Sequence, residues 1–408
     1  MRILIYGLNY APELTGIGKY TGEMAEWLAA NGHEVRVVTA PPYYPKWRLG
    51  EGYSQWRYKQ EILAGVSVWR CPVWIPLQVT GAKRILHLAS FACSSLPVML
   101  RQAFWRPHLV LVIEPPLMCA PTALLAARLS GAKVWLHVQD FEVDAAFDLG
   151  ILPPGRIREW TLRAERWLMH AFDSVSTISP RMLDKLLLKG VAHSRATLFP
   201  NWVDTNAIFP MNTPSIFRTE LGIDSDKVIA LYSGNMGEKQ GLEVVLEAAH
   251  QAVDDVRIVF VLCGDGAARA RLQQEFKGLP NVVWLPLQSE GRLNELLNLA
   301  DVHLLPQREG VADLVMPSKL TGMLASGRPV LATANPGTQV AQVVNQCGVV
   351  TQPGAAREML AALQRLADNR TERERLGRAA RLYAEDNLGH DAILCRFESE
   401  LLKLTQQG

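Results

Sequence analysis

Short runs of consecutive apolar residues alternate along this chain with longer stretches of helical spacing. Residues 2–6 (RILIY) form an apolar run that closes on Gly7. In the stretch 15–35 (TGIGKYTGEMAEWLAANGHEV), Tyr20, Met24, Trp27 and Leu28 recur at helical spacing, and Asn31-Gly32 ends the helix. A second apolar run, VRVVTA, follows at 35–40. Strand, helix, strand in that order predicts a parallel sheet with helices on its faces. Residues 108–116 and 132–140 predict further buried strands with helices between them.

The pattern continues with a strand at 173–179, a helix at 180–190 and a strand at 196–204, and then breaks at the Pro-punctuated segment 209–215 (FPMNTPS). A second alternating series follows. Its strands are predicted at 228–235, 256–266, 281–287, 301–306 and 329–334, with helices at LEVVLEAAHQA, around ARARLQQEF, at 291–299 and at 318–326. The fold class is therefore α/β, with two doubly wound Rossmann-like domains in tandem. We assign 1–203 and 204–386 to the two domains, and 387–408 to a terminal helix that packs back toward the first. Ligands of open α/β sheets bind beyond the carboxyl ends of the strands. Two such sheets facing a central cleft predict a substrate there.

Composition adds little beyond a globular chain of 408 residues, 49% hydrophobic and 20% charged. Charge is more telling. The net +2 divides into +7 over residues 1–200 and −5 over 201–408, so the first half is the one suited to an anionic partner. The segment 85–100 is apolar or small with one His, between Lys83-Arg84 and Arg101. It is too short to span a bilayer comfortably. Two readings stand: a core helix, or an interfacial helix with basic anchors. The six cysteines are scattered without a CxxC pair, as expected of reduced thiols in the cytoplasm, and the N-terminus lacks the pattern of a signal peptide.

Four motifs carry candidate chemistry. Gly16-Ile17-Gly18 opens the first helix, where glycine and helix-start amides suit a phosphate; a plain loop and a dinucleotide fingerprint are the other readings. The loop from Gly7 is long for that fingerprint, and the second strand ends Thr39-Ala40-Pro41 without the ribose-binding acid. His137 and Gln139 share one face of a strand that ends at Asp140. A Gly-rich turn, Gly234-Asn235-Met236-Gly237-Glu238-Lys239, suits a diphosphate. Pro317-Ser318-Lys319 places helix-start amides and an ammonium where a phosphate would sit, downstream of Arg308, Glu309 and Asp313. Each of these also reads as ordinary structure: a satisfied core histidine, a surface turn, a helix start.

The order of segments resembles the family-4 glycosyltransferases of GT-B fold, retaining enzymes that use nucleotide sugars. The likeness runs nearly end to end through YAPELTGIGKYTGEMAEWLAANGHEV, STISPRMLDKLLLKGV, LFPNWVD, YSGNMGEKQGLE, VLCGDGAARARL, NVVWLPL, ADVHLLP and LASGRPVLAT. Within the family, GIGKYTGEM, TAPPYYP, WRYK and PSKLT are most similar to fucosyltransferases of exopolysaccharide synthesis. The resemblance implies an acceptor-side first domain and a donor-side second domain. It implies a nucleotide-sugar donor, GDP-fucose first among them, and a lipid-linked or saccharide acceptor. The expected place is the cytoplasmic face of the inner membrane, in peripheral contact, with no nucleic-acid partner. The one D-x-D, Asp224-Ser225-Asp226, falls in a polar turn before a strand, so neither a metal nor a resident cofactor is expected.

The chain departs from the family at the positions of chemistry. The His-Asp doublet reads Gln139-Asp140, with His137 two residues earlier. Asn235 stands in place of an Arg and Gln240 in place of a Lys, with Lys239 beside it. The paired glutamates read Leu314 and Gly322, with Glu309 and Asp313 nearby. The expected catalytic set is His137, Gln139, Asp140 and Glu309. The expected donor set is Gly16, Ile17, Gly18, Gly234, Asn235, Lys239, Gly264, Asp265, Asp313, Ser318 and Lys319. Either His137 reaches the sugar directly, or it supports Gln139 from behind. Three alternatives remain: a nucleotide-sugar epimerase of the same architecture, a non-catalytic scaffold and, disfavoured, an NAD-dependent oxidoreductase.

Overall fold

The computed structural model describes residues 1–13, 16–45, 47–77, 80–148, 156–308 and 317–406. The chain divides into two units, residues 1–200 with 394–408, and residues 201–393.

The first unit runs β1 (Arg2–Tyr6), α1 (Gly16–Ala30), β2 (Glu34–Thr39), β3 (Lys59–Leu63), β4 (Val66–Arg70), α2 (Gly81–Ala103), β5 (Leu109–Glu114), α3 (Ala120–Ser130), β6 (Lys133–Val138), α4 (Glu142–Asp148), α5 (Arg156–His170), β7 (Ser174–Thr177), α6 (Pro180–Leu188) and β8 (Ala196–Leu198). The strands form one sheet in the order β3-β4-β2-β1-β5-β6-β7-β8, parallel except for edge strand β3. The hairpin β3–β4 lies outside the predicted strands. Its outer strand, KQEIL, is mostly exposed and shows no apolar run. The strand predicted over 196–204 ends at Leu198; Phe199 N still donates to Thr177 O at 2.8 Å, but Pro200 carries no N–H to continue the ladder.

Right-handed crossovers put α2, α3, α5 and α6 on one face of this sheet and α1 on the other. α2 buries His87, Phe91, Ser95 and Met99, and Ser95 meets the Tyr6 hydroxyl at 2.6 Å. One side of the 85–100 segment is therefore core. The other side exposes Leu86 and Leu96. The last helix, α15 (His390–Gln406), brings Phe397 against Trp135 and Phe199 and Glu398 to within 2.7 Å of His33.

The second unit contains α7 (Ile216–Glu220), β9 (Val228–Ser233), α8 (Glu243–Gln251), β10 (Ile258–Cys263), α9 (Arg269–Glu275), β11 (Val282–Leu285), α10 (Leu293–Asn298), β12 (Val302–Leu305), α11 (Ser318–Ala325), β13 (Val330–Thr333), α12 (Gln339–Cys347), β14 (Gly348–Thr351), α13 (Ala356–Asp368) and α14 (Arg370–Leu388). All its strands are parallel, in the order β11-β10-β9-β12-β13-β14. β9, β12 and β13 are buried along their whole length, as expected of strands covered on both faces. Each fully buried Val, Leu or Ile there contributes about 1.5–3 kcal/mol. The order reverses direction between β9 and β12, and a ligand crevice opens beyond the carboxyl ends of strands at such a point.

Candidate functional site

In the second unit the reversal point is built from two glycine turns and one lysine. The turn after β9 holds Gly234, and the turn after β10 holds Gly264-Asp265-Gly266. The two turns pack backbone to backbone. Gly234 N donates to Cys263 O at 3.0 Å, and Met236 N donates to Asp265 O at 2.8 Å. A Cβ on Gly264 would lie 1.9 Å from Gly234 O, and one on Gly266 would lie 2.5 Å from Met236 O. These glycines are required by close approach, and both have positive φ. Asp265 is exposed and caps its own turn through Gly266 N at 2.8 Å.

Lys319, at the start of α11, reaches into this place. Its ammonium donates to Gln240 Oε1 at 2.9 Å and to the Tyr232 hydroxyl at 3.2 Å, and lies 4.5 Å from the centre of the Tyr232 ring. Its stem lies beside Gly234, whose added Cβ would meet Lys319 Cδ at 3.5 Å. No carboxylate pairs with it among the described residues. Burial pushes its pKa down to about 8. Its described hydrogen-bond partners are both neutral groups. The loop after β12 closes the other side, where a Cβ on Gly241 would lie 3.1 Å from Arg308 N.

Of the expected donor residues, Gly234, Asn235, Gly264, Asp265, Ser318 and Lys319 thus gather around one crevice end of one sheet. Glu309 and Asp313 lie outside the described residues, as does the side chain of Lys239. Tyr232 and Gln240 were not among the expected site residues. A hydroxyl at the end of an apolar strand looks like core until the lysine beside it is placed. Asp224 and Asp226 sit before β9, at the opposite end of the sheet from these turns.

In the first unit, Gly16 begins α1 at φ +63°. The space beside Gly18 is occupied by Glu13, whose carboxylate would meet an added Cβ at 2.5 Å. That buried carboxylate accepts from Tyr43 N and Tyr44 N, each at 3.0 Å, and from Asn9 Nδ2 at 2.9 Å. Burial nevertheless raises its pKa above the ordinary value.

β6 stays regular to its end, and Gln139 N extends the ladder to Glu114 O at 2.9 Å. His137 is buried under Gln139. The amide nitrogen of Gln139 can only donate, so at 3.0 Å it donates to His137 Nε2, and His137 Nδ1 donates to Ser176 Oγ at 2.9 Å. The imidazole also packs on Phe199 at 4.8 Å. Burial pushes its pKa down to about 3, which keeps the ring neutral. Asp140 is exposed beyond it, and Gln139 is 7% exposed between them. The arrangement can orient the Gln139 amide, but it supplies no charge from the histidine.

Two doubly wound α/β units in tandem, the second with a lysine at its strand-reversal crevice, define a GT-B protein of the glycosyltransferase class. Residues 15–202 match the glycosyl transferase 4-like domain and residues 215–383 match the glycosyl transferases group 1, and the chain belongs to this family. It is 44% identical, over 98% of its length and 100% of the relative's, to the putative colanic acid biosynthesis glycosyl transferase WcaI of Escherichia coli. Its fold is similar to sucrose-phosphate synthase from Thermosynechococcus elongatus (TM-score 0.78, 17% identity, 100% of both chains). It is likewise similar to Anabaena HepE in complex with UDP and glucose (TM-score 0.71, 13% identity, 99% of this chain and 100% of that one).

Proposed function

We propose that this chain transfers a sugar from a nucleotide sugar to a lipid-linked or saccharide acceptor in synthesis of a colanic acid-like exopolysaccharide, with retention at the anomeric carbon. The observation that carries the donor reading is Lys319, a cation with no carboxylate partner among the described residues, at the reversal point of the second unit. As the bond to the sugar breaks, negative charge grows on the departing diphosphate. An ammonium already in place stabilises that charge without reorganising. Gly234 keeps the backbone low enough for the diphosphate to approach, and Tyr232 and Gln240 hold the ammonium toward it. On this reading Gln139 contacts substrate, and His137 is a positioning residue that fixes its amide. The colanic acid biosynthesis relative supports the exopolysaccharide reading, and GDP-fucose, implied by the sequence resemblance, is the first donor to test.

The helical face of the first unit supports contact with an anionic membrane at the cytoplasmic side. α5 exposes Trp160 and Trp167, each 68% accessible, seven residues apart on one side, with Arg156, Arg163 and Arg166 also exposed. α2 and α3 add exposed Leu86, Leu96, Leu125 and Leu129 with Arg101 and Arg128. No described helix is long and apolar enough to cross a membrane. Aromatic and aliphatic groups among arginines suit attachment to a leaflet surface instead.

The test is a panel of GDP-, UDP- and dTDP-sugars given to the purified protein, read as binding and as slow release of free sugar. GDP-fucose should be turned over, and the anomer transferred to acceptor should match the donor's. Binding of none of the panel would remove the proposal.

A further inference from the structure

The second unit holds another cavity, of about 840 Å³, at the opposite end of its sheet from the Lys319 crevice. It lies between the amino ends of β9 and β13, the segment 210–215 and one face of α14. β9 alone separates the two places by about 20 Å at some 3.3 Å per residue.

The walls of this cavity are basic. α14 contributes Arg370, Arg373, Arg378 and Arg381, α7 contributes Arg218, and the amino ends of β9 and β13 contribute Lys227 and Arg328. Against these seven cations stand three lining carboxylates, Asp226, Asp301 and Glu374, and Arg381 is further paired with Glu385 at 2.6 Å. Two of the three are already committed: Asp301 to Arg218 at 2.6 Å, and Glu374 to Arg370 at 2.8 Å. Arg328 is half-buried. Its Nε has no hydrogen-bond partner among the described residues, and the one hydrogen bond of its side chain there is a long 3.4 Å approach to Asn298 Oδ1. Arg378 is exposed in the mouth with no ion pair among the described residues. The close seat of α14 on the sheet end is obligatory, since a Cβ on Gly377 would fall 2.2 Å from Gly327 O. That seat brings Arg378 and Arg328 to one cavity. Arg370 and Arg373 also lie in the first turn of α14, where the helix dipole disfavours cations. The fold thus concentrates positive charge with too few acids to neutralise it.

We propose that this cavity binds a small soluble phosphorylated metabolite of the di- or polyphosphate class, at a site separate from the donor crevice. Planar guanidinium groups match phosphate oxygens in pairs, and an excess of three positive charges, with Glu385 counted against Arg381, suits a ligand with several negative ones. The volume admits a molecule of nucleoside-diphosphate size. Binding would tie α14 to the 210–215 segment and so stabilise the second unit. The assignment does not depend on the donor reading.

The probe is inorganic tripolyphosphate, titrated by calorimetry into the full chain carrying Lys319→Ala, which removes the donor-crevice ammonium. Binding should persist there. Adding Arg328→Gln and Arg378→Gln should weaken it at least tenfold, and sulfate at matched ionic strength should not compete. Arg378→Gln alone, on an exposed helix position, leaves the fold intact and should still weaken binding severalfold, with loss of the ligand-induced rise in melting temperature. Anionic vesicles should sediment the Arg328→Gln/Arg378→Gln protein as they do the unmodified chain; reduced sedimentation would make the ligand a lipid headgroup and overturn the soluble-metabolite assignment. Equal tripolyphosphate affinity with and without the two arginines, or no binding by the Lys319→Ala chain, would overturn the site itself.

Discussion

The ammonium of Lys319 donates to the hydroxyl of Tyr232 at 3.2 Å while lying 4.5 Å from the centre of the same ring. Ring face and hydroxyl both favour the charged amine, yet burial still holds its pKa near 8. The site is therefore charged below that pH and loses its charge just above it.

A pH dependence follows directly. Nucleoside diphosphate affinity should be flat with respect to this group below pH 8 and should fall above it, by at most tenfold per pH unit. Stability should run the other way. The folded pKa lies below the unfolded value of about 10.4, so stability rises with pH between about 8 and 10.4. Lys319→Met should abolish both slopes, as followed by isothermal titration and by melting temperature across that range.

Glu114 ends β5 wholly buried, and neither carboxyl oxygen has a hydrogen-bond partner among the described residues. Burial, then the nearby Glu165 and Glu142, raise its pKa well above the ordinary carboxylate range, against the pull of Lys189. The folded state holds this proton more tightly than the unfolded one. Its stabilising contribution is full below about pH 4.3 and is lost as pH rises through the folded pKa. Glu114→Gln, which mimics the protonated acid, should be at least as stable as the unmodified chain at pH 8 and flatter with pH. Denaturant unfolding at several pH values checks this, and a loss above about 2 kcal/mol in Glu114→Gln at neutral pH would mean that the acid is ionised.

Gly264 and Gly278 separate two costs of replacing glycine. Both have positive φ, but a Cβ at Gly264 meets Gly234 O at 1.9 Å, whereas at Gly278 it meets nothing within 4 Å. Gly278→Ala should cost about 1–2 kcal/mol, the backbone term alone. Gly264→Ala should cost more than that and displace the turn that carries Gly234, so that nucleotide binding fails with stability. Urea unfolding of the two variants side by side makes the comparison.

His137 and Gln139 should differ in kinetics. Gln139→Ala should slow single turnover by a hundredfold or more, about 2.7 kcal/mol. His137→Asn, which can still meet Gln139, should lose less, and the rate should show no histidine titration between pH 5 and 9, because the ring is neutral throughout. A larger loss in His137→Asn than in Gln139→Ala would reverse the roles.

Membrane contact should depend on α5. Changing Trp160 and Trp167 to Ala should release the protein from anionic vesicles. Arg156, Arg163 and Arg166 to Gln should do so in a salt-sensitive way, each arginine near the surface being worth about 1 kcal/mol. Cosedimentation with phosphatidylglycerol-containing vesicles measures both.

Much of this arrangement is legible in the residues themselves. Apolar runs such as VIALYS and IVFVLC are buried parallel strands because nothing else accommodates them, and Gly234 and Gly264 mark the turns beyond them. The hairpin β3–β4 was not legible, because an exposed edge strand needs no apolar periodicity. Nor was the partnership of Lys319 with Tyr232 and Gln240, which sit 87 and 79 residues away and meet only through the sheet order. The alternation of side chains placed His137 and Gln139 on one face, but not the depth of the histidine, which is set by Phe199 and by Ser176 on the neighbouring strand.

The central claim is that Lys319 receives the diphosphate of the donor. Its most direct measurement is the equilibrium affinity of GDP and GDP-fucose for the unmodified chain and for Lys319→Ala, with melting temperature as the check on folding. A charge-assisted bond of about 1.5–3 kcal/mol predicts at least a tenfold loss of affinity in a variant that still folds. Equal affinity in the two proteins would contradict it.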